Sequence, residues 1–355
     1  MSKTATTEIA GQSVVLAYGS VGAEYEALHR RAIVVDRSHR GRIRFTGDKA
    51  ADVLTGLVTN DVGALAAGQG QYAVALSPKG KVVSDMRILR TESDFITDAS
   101  ARSRDGWKAI VKKYVNPRLA KYADESVTTR SMGVYGTQAR HVVEQMTGIG
   151  ASALGIMPPY THASVSRDGE TVLVIRSADL ELEGFDVFLP TAAWDTFWQS
   201  AVRAHATPAG QAAWDIARVE AGRPEWGVDM DDSTIPQEAN LDALNAVSYT
   251  KGCYTGQEVV ARVHFRGHVN RSLRGLTLAG ALPPARAALF DATGKSVGEI
   301  TSGVASPRLG AIALGMVRRE VETGASLTAR WPAGASGDSS AGEAQAKVVA
   351  LPFAG

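Results

Sequence analysis

The sequence predicts an α+β fold with antiparallel sheets and a small β-barrel at its C-terminal end. Two observations carry this. Before residue 273, helix-period and strand-period segments alternate without the strict βαβ order that a parallel sheet demands. From Leu273 onward only short strand patterns remain, separated by Gly and Pro turns. A chain of 355 residues also exceeds one ordinary domain. The division is expected at 272/273, with residues 1–272 forming two α+β subdomains and 273–355 the barrel.

Taken in order, Glu24, Tyr25, Leu28 and Arg31 sit at helical spacing, and Ala32–Asp36 reads as a short buried strand. Arg42–Gly47 alternates polar and apolar residues and reads as a strand. Asp48 is expected to cap a helix running to about Leu57. Ser77-Pro78-Lys79-Gly80 lies between two apolar runs, so 72–90 reads as a hairpin. Residues 103–123 read as a helix that breaks at Pro117 and resumes. A strand pair comes next at Val172–Ser177 and Phe185–Leu189, then helices at Trp194–Ala204 and Ala213–Ala221. The barrel strands are expected at Leu273–Leu278, Ala288–Phe290, Ser296–Thr301, Ile312–Val317, Leu327–Arg330 and Lys347–Ala350. Pro332–Ala346, rich in Ala, Gly and Ser, reads as a mobile loop.

Composition excludes several function classes. Apolar residues make up 45% and charged residues 21%, as in a soluble globular protein. Lys+Arg is 38 against Asp+Glu 37, which argues against a strongly basic nucleic-acid protein. No apolar run reaches the ~18 residues of a membrane span, and the N-terminus lacks a secretory apolar core. A cytoplasmic protein with no membrane partner is expected. Charge is unevenly placed, however. Glu225, Asp229, Asp231, Asp232, Glu238 and Asp242 form an acidic block, while Arg262, Arg266, Arg271, Arg274 and Arg286 accumulate in a stretch without acids. These are either two solvated faces that neutralise each other or an anion site for a polyglutamate tail, a phosphate or RNA. RNA is disfavoured, since only Phe265 interleaves the arginines.

One cysteine excludes an internal disulfide and a four-cysteine metal or cluster site within one chain. That residue, Cys253, lies in Lys251-Gly252-Cys253-Tyr254-Thr255-Gly256-Gln257-Glu258. A lone cysteine is usually a small buried hydrophobe. Here two flanking glycines predict a loop, and Gln257–His264 reads as a helix starting just after it. A thiol near a helix N-terminus and beside Lys251 is expected to be exposed and more acidic than the free value of about 8.5. His264 and His268 are four apart, but Phe265 stands where a zinc helix has Glu and Gly267 interrupts the helix, so no metal site is expected.

The Cys253 segment resembles the signature K-G-C-[FY]-x-G-Q-E of the YgfZ proteins, folate-binding relatives of the glycine-cleavage T-protein. The resemblance extends along nearly the whole chain. Val35-Asp36-Arg37-Ser38 with Phe45-Thr46-Gly47-Asp48, Thr59-Asn60-Asp61-Val62, and Pro78-Lys79-Gly80-Lys81 with Asp85 are similar to its N-terminal motifs. Arg218-Val219-Glu220-Ala221-Gly222 followed by Pro236 and Glu238 is similar to its central motif, and Gly298–Gly303 with Ser306-Pro307 to its barrel motif.

The resemblance implies a ring of three domains with tetrahydrofolate, or a one-carbon derivative, in a central funnel. It implies folate contacts from Tyr72, Asp85, Asp186 and Arg218. The glycine-flanked loop, the helix starting beside it and Lys251 predict that Cys253 lines the mouth of that funnel rather than the protein core. A pterin offers an exocyclic amine and a ring N–H side by side, and a carboxylate such as Asp186 can accept both. Asp85 has the alternative of merely ending the hairpin, and Arg218 that of pairing with Glu220 or Asp215. The chain departs from the T-protein at Ser84-Asp85, where that family has paired carboxylates, and at Arg176–Glu183, where its R-x-G-Y-T-G-E-D is replaced by RSADLELE.

Three functions are expected on these grounds. The first, implied by the signature, is a folate-binding protein that supports iron–sulfur cluster assembly or repair in client proteins, and through them tRNA modification, with Cys253 as its working thiol beside Lys251. The second is a folate-dependent aminomethyl- or methyltransferase in which Asp85 steers charge on a folate nitrogen. The third is a folate-binding scaffold without chemistry.

Overall fold

The computed structural model describes residues 4–167, 169–334 and 341–353. Two compact units divide the chain. The first comprises Met1–Pro78, Val83–Trp214 and Asn245–Thr255; the second comprises Lys79–Val82, Asp215–Leu244 and Gly256–Gly355.

In the first unit, β1 (Ala5–Ile9) and β2 (Gln12–Ala17) form an antiparallel ribbon. Helix α1 (Val21–Arg30) is next, its first turn capped by the Ser20 hydroxyl, which accepts from the Ala23 amide. Then come β3 (Ile33–Asp36), β4 (Gly41–Thr46), α2 (Ala50–Leu57), β5 (Gly70–Leu76), β6 (Val82–Arg90), β7 (Phe95–Ala99), α3 (Arg104–Tyr114) and β8 (Lys121–Asp124). The unit continues with β9 (Thr129–Tyr135), α4 (Ala139–Thr147), α5 (Ala151–Gly155), β10 (His162–Arg167), β11 (Glu170–Arg176), β12 (Gly184–Pro190), α6 (Trp194–Arg203) and β13 (Thr207–Pro208).

These strands build two sheets, ordered β5-β6-β7-β4-β8 and β10-β11-β12-β9-β3-β13. In the second sheet only β13 runs parallel to its neighbour, β3. Side chains alternate between the faces of a strand with period 2, and that alternation sorts each sheet cleanly. Ala73, Ala75, Met86, Ile88, Phe95, Ala99, Ile43 and Phe45 point to one face of the five-stranded sheet and pack with Leu54 of α2 and Trp107 and Val111 of α3. Met132, Val134, Val172, Val174, Phe185 and Val187 do the same in the six-stranded sheet, against Val142 and Met146 of α4 and Phe197 of α6. The opposite faces of the two sheets meet at Leu89, Ile96, Leu173, Ile175 and Phe188.

Two expected elements differ. Asp48 does not cap α2. The helix begins at Ala50 with Lys49 at the cap position and no side-chain cap, because the Gly47 carbonyl already accepts from the Ala50 amide at 2.9 Å and closes a backbone turn there. The helix does not resume after Pro117. Residues beyond it turn through the Asn116 carbonyl, which accepts from Leu119 N–H at 2.9 Å, and become edge strand β8 against β4, with Tyr122 opposite Phe45.

The second unit carries most of α7 (Gln211–Glu220) and α8 (Gln257–Arg266). It also holds six strands: β14 (Arg271–Ala279), β15 (Ala288–Phe290), β16 (Ser296–Ser306), β17 (Gly310–Arg318), β18 (Ser326–Trp331) and β19 (Gly342–Val349). They close as a barrel in the order β14-β17-β16-β15-β18-β19. Leu276, Leu289, Ile300, Val317, Ala329 and Val348 fill its core, and Val219 of α7 packs with Leu273, Ile312 and Leu314. The expected barrel is therefore present, and Ser296–Arg318 is strand rather than helix. Of the expected loop Pro332–Ala346, residues 342–346 belong to β19, and 335–340 lie outside the described residues.

Candidate folate site and signature loop

The inner face of the five-stranded sheet changes character along β6. Asp85, Arg87 and Leu89 share that face by period 2, while Met86 and Ile88 point to the helices. Leu89 sits in the apolar layer between the sheets; Arg87 and Asp85 continue the same line as buried charge.

Asp85 lies within β6, not at a hairpin end, and is buried. Its Oδ2 accepts from the Tyr72 hydroxyl of β5 at 2.9 Å, and its Oδ1 from the Ser100 hydroxyl at 2.5 Å. Ser103 Oγ stands 3.4 Å from the same Oδ1 and 2.7 Å from Ser100 Oγ, with Ser84 Oγ 2.8 Å behind it. A carboxylate fixed by hydroxyl donors keeps one orientation without a neutralising cation. It can place negative charge beside a nitrogen that becomes cationic. Tyr72 and Asp85 thus meet through a side-chain hydrogen bond.

Asp186 is held differently. It lies on β12 opposite Gly133 of β9, and Gly184 lies opposite Tyr135. The Tyr135 ring covers both glycines. A Cβ added at Gly133 or Gly184 would come within 2.4 Å of that ring. Lying flat across this gap, the tyrosine donates its hydroxyl to Asp186 Oδ1 at 2.7 Å. Burial, then Asp186, raises the Tyr135 phenol well above 10, so it remains a donor. Asp186 Oδ2 accepts from Arg87 Nη1.

Arg87 in turn donates through Nε (3.0 Å) and Nη2 (2.6 Å) to Asp98 Oδ2 on β7, which also accepts from Arg40 Nε at 2.6 Å. Arg42 completes the set, its Nη1 3.8 Å from Asp98 Oδ1, and Asp179 lies 3.9 Å from Arg87. Arg40, Arg42 and Arg87 therefore face Asp98, Asp179 and Asp186, all buried and balanced in charge. Burial alone would raise the Asp98 carboxyl, but Arg40, Arg87 and Arg42 outweigh it and hold it well below the usual range.

Arg218 belongs to the second unit, on α7, and all three of its nitrogens are engaged there. Nη1 donates to Asp229 Oδ2 at 2.6 Å and to the Arg223 carbonyl, Nη2 to Ser302 Oγ at 2.9 Å, and Nε to Asp215 at 3.4 Å. The alternative of an ion pair is realised with Asp215 and Asp229. Glu220 instead accepts from Ser306 Oγ. Further along, Arg271 meets Glu238 at 3.2 Å and Arg286 meets Glu299 at 2.6 Å, so part of the arginine-rich stretch is neutralised locally.

In the signature loop, Cys253 is exposed, as expected. Gly252 is open to solvent, and Gly256 takes a left-handed φ of 82° as it leads into α8. Gln257 and Glu258 form the first turn of that helix. Lys251 corrects an expectation. Its side chain is buried and its ammonium donates to the carbonyls of Thr55, Val58 (2.7 Å) and Asn60 (3.0 Å), at the C-terminal end of α2. It also lies 4.8 Å from the Tyr254 ring centroid. Unsatisfied carbonyls at a helix end attract a cation, and that end, not the thiol, takes this one. Burial lowers the ammonium to about 8, with Asp61 pulling upward.

Sequence reasoning missed Arg87, Asp98, Tyr135, Ser100 and Ser103. A signal existed for the first: in Asp85-Met86-Arg87-Ile88 charge alternates with apolar residues inside a long apolar strand, whereas Asp98 shares its face of β7 with Ile96. That pattern marks either a solvated or a buried charged face.

Models of known families match both halves of the chain: the GCVT N-terminal domain over residues 4–250 and the glycine cleavage T-protein C-terminal barrel domain over 271–354. The chain is 30% identical to the aminomethyltransferase of Rubrobacter xylanophilus, covering 98% of this chain and 89% of that one. It is 31% identical to the aminomethyltransferase of Thermotoga neapolitana, covering 92% and 89%. The solved aminomethyltransferase T of Bartonella henselae has the same fold, with a TM-score of 0.87 at 24% identity over 99% of this chain and 94% of that one. With both of its domains matched and two relatives at this identity across almost its full length, the chain belongs to the glycine-cleavage T-protein family.

Proposed function

We propose that the chain binds tetrahydrofolate or a one-carbon derivative through its first unit and acts as a folate-dependent one-carbon transferase, with aminomethyl transfer as the activity. The observation that supports this most is the Asp85 carboxylate, buried on a family fold and oriented by Tyr72 and Ser100. Its relatives' names supply the reaction class. When bound, tetrahydrofolate provides the nitrogen that takes up the one-carbon unit. Asp85 would stabilise positive charge at that nitrogen, or hold its proton, while the hydroxyls keep the carboxylate aimed. Asp186 would accept from the pterin edge. Ser84 and the 176–183 segment, where the T-protein motifs are replaced, bear on the one-carbon donor. Product analysis tests the reading. Tetrahydrofolate and a lipoyl-bound aminomethyl donor should yield ammonia and methylenetetrahydrofolate, and Asp85→Asn should slow the formation of both at least about a hundredfold. No product from the wild type would overturn the transferase.

A second reading rests on the exposed Cys253 in its eight-residue signature. On it, the chain is a YgfZ-type cytoplasmic protein whose thiol supports iron–sulfur cluster assembly or repair in client proteins, and through them tRNA modification. The thiol would hold a mixed disulfide, a sulfur or a cluster edge, since one cysteine cannot ligate a cluster alone. Iron–sulfur enzyme activity in cells carrying Cys253→Ala decides this: a fall supports the second reading, and unchanged activity rejects it.

A further inference from the structure

We infer that Arg87 is a built-in competitor that stands in for the pterin on Asp186, so that only a ligand with a guanidine-like edge displaces it at a net gain. The inference rests on the folate reading above and adds to it a residue and a selectivity. The chemistry of the two donors is the same. The pterin edge, an exocyclic amine and a ring N–H on one carbon, is a cyclic guanidine; Arg87 presents the open-chain guanidinium. Asp186 is nearly inaccessible, 1% exposed, and both of its oxygens are engaged, by Tyr135 and by Arg87. A pterin can reach it fully only by taking the place of Arg87 Nη1.

The site makes that exchange cheap. Arg87 holds Asp186 through one nitrogen and Asp98 through two. Leaving Asp186 therefore breaks one of three hydrogen bonds, and the guanidinium stays charged and anchored. Asp98 Oδ1 has no hydrogen-bond partner among the described residues, so an acceptor is available on the same carboxylate. Tyr135, pinned over Gly133 and Gly184, keeps Asp186 in place during the exchange. A ligand with one donor swaps one hydrogen bond for another and gains nothing. A ligand with the two-donor fork replaces the lost bond and adds a second. Selection thus falls on the 2-amino group.

Titration calorimetry tests this with the full chain, tetrahydrofolate, and a 2-desamino counterpart lacking the exocyclic amine. Arg87→Gln removes the charge and the fork. Arg87→Lys keeps the charge for Asp98 but cannot bridge two carboxylates, and it serves if the first variant does not fold. Either folded variant should bind tetrahydrofolate at least tenfold more tightly than wild type, the 2-desamino ligand should gain as well because it is freed of the same exchange, and tetrahydrofolate should stay ahead of the 2-desamino ligand in every form. Wild-type binding of tetrahydrofolate with equal or weaker binding in the folded variants overturns the role of Arg87 and leaves the folate reading intact. Equal binding of the two ligands by the wild type also overturns it. Absence of binding by every form overturns the folate reading, and the role of Arg87 with it.

Discussion

Replacing Lys251 by Met separates a structural role for this lysine from a role in activating the thiol. Methionine keeps most of the aliphatic volume and removes the ammonium. Three carbonyls at the end of α2, those of Thr55, Val58 and Asn60, then lose a donor. Hydrogen bonds to a charged group contribute about 1.5–3 kcal/mol each, or roughly 4.5–9 kcal/mol together if additive. Against this stands the burial that lowers the ammonium from 10.5 to about 8, a cost of about 3 kcal/mol. The difference is a few kcal/mol of lost stability. The assay is urea unfolding with m held constant, alongside the iodoacetamide rate at Cys253. The folded ammonium titrates below the unfolded one, so between about pH 8 and 10.5 the unfolded chain binds more protons. Wild-type stability should therefore rise with pH in that window, and the variant should lose the rise. Unchanged stability with a slowed thiol reaction would refute the structural role of Lys251 and restore the one expected from sequence.

Asp85→Asn should lower turnover by about 10²–10⁴-fold, as for loss of a charge-stabilising or proton-holding group, with an unaltered circular dichroism spectrum; activity within a factor of three of wild type argues against its role. Gly184→Ala drives a Cβ to 2.4 Å from Tyr135 Cδ1 and should cost about 3 kcal/mol in urea unfolding through overpacking and the lost bond to Asp186; a neutral outcome means Tyr135 is not pinned as described. Burial, then Arg37 and Arg40, keeps the buried His39 imidazole well below 6.5. The unfolded chain takes up its proton first, so stability should fall as pH drops below 6.5, and His39→Gln should flatten that fall in a melting-temperature profile. Cys253→Ala, at an exposed position, should change stability by less than about 0.5 kcal/mol; a larger loss points to a packed, structural cysteine.

The barrel was legible because its strands are short, regular and separated by turns, and they closed where the pattern placed them. The exposed cysteine was legible from its flanking glycines, which supply conformations no packed element needs. Only the family resemblance singled out Asp85 and Tyr72, since nothing local distinguishes a buried carboxylate from one ending a hairpin. The charge network around Asp98 was not legible, because its members come from β4 and the residue before it, β6, β7, β12 and the segment between β11 and β12, and sequence alternation does not say what lies opposite. Lys251 shows the same limit. Its nearness to Cys253 along the chain suggested a partner for the thiol, yet its length carries the ammonium to carbonyls far away in sequence, the partner at Thr55 being separated by 196 residues. Pro117 misled for another reason: a helix break is readable from one residue, but the strand beyond it forms only because the edge of β4 is free to pair.

The most direct test of the central claim is a structure of the chain with tetrahydrofolate bound. The one-carbon-bearing nitrogen should lie beside Asp85 and the pterin edge on Asp186, with Arg87 Nη1 withdrawn from Asp186 while its other nitrogens remain on Asp98. Folate bound elsewhere, with Asp85 still held only by its hydroxyls and Asp186 still held by Tyr135 and Arg87, would contradict it.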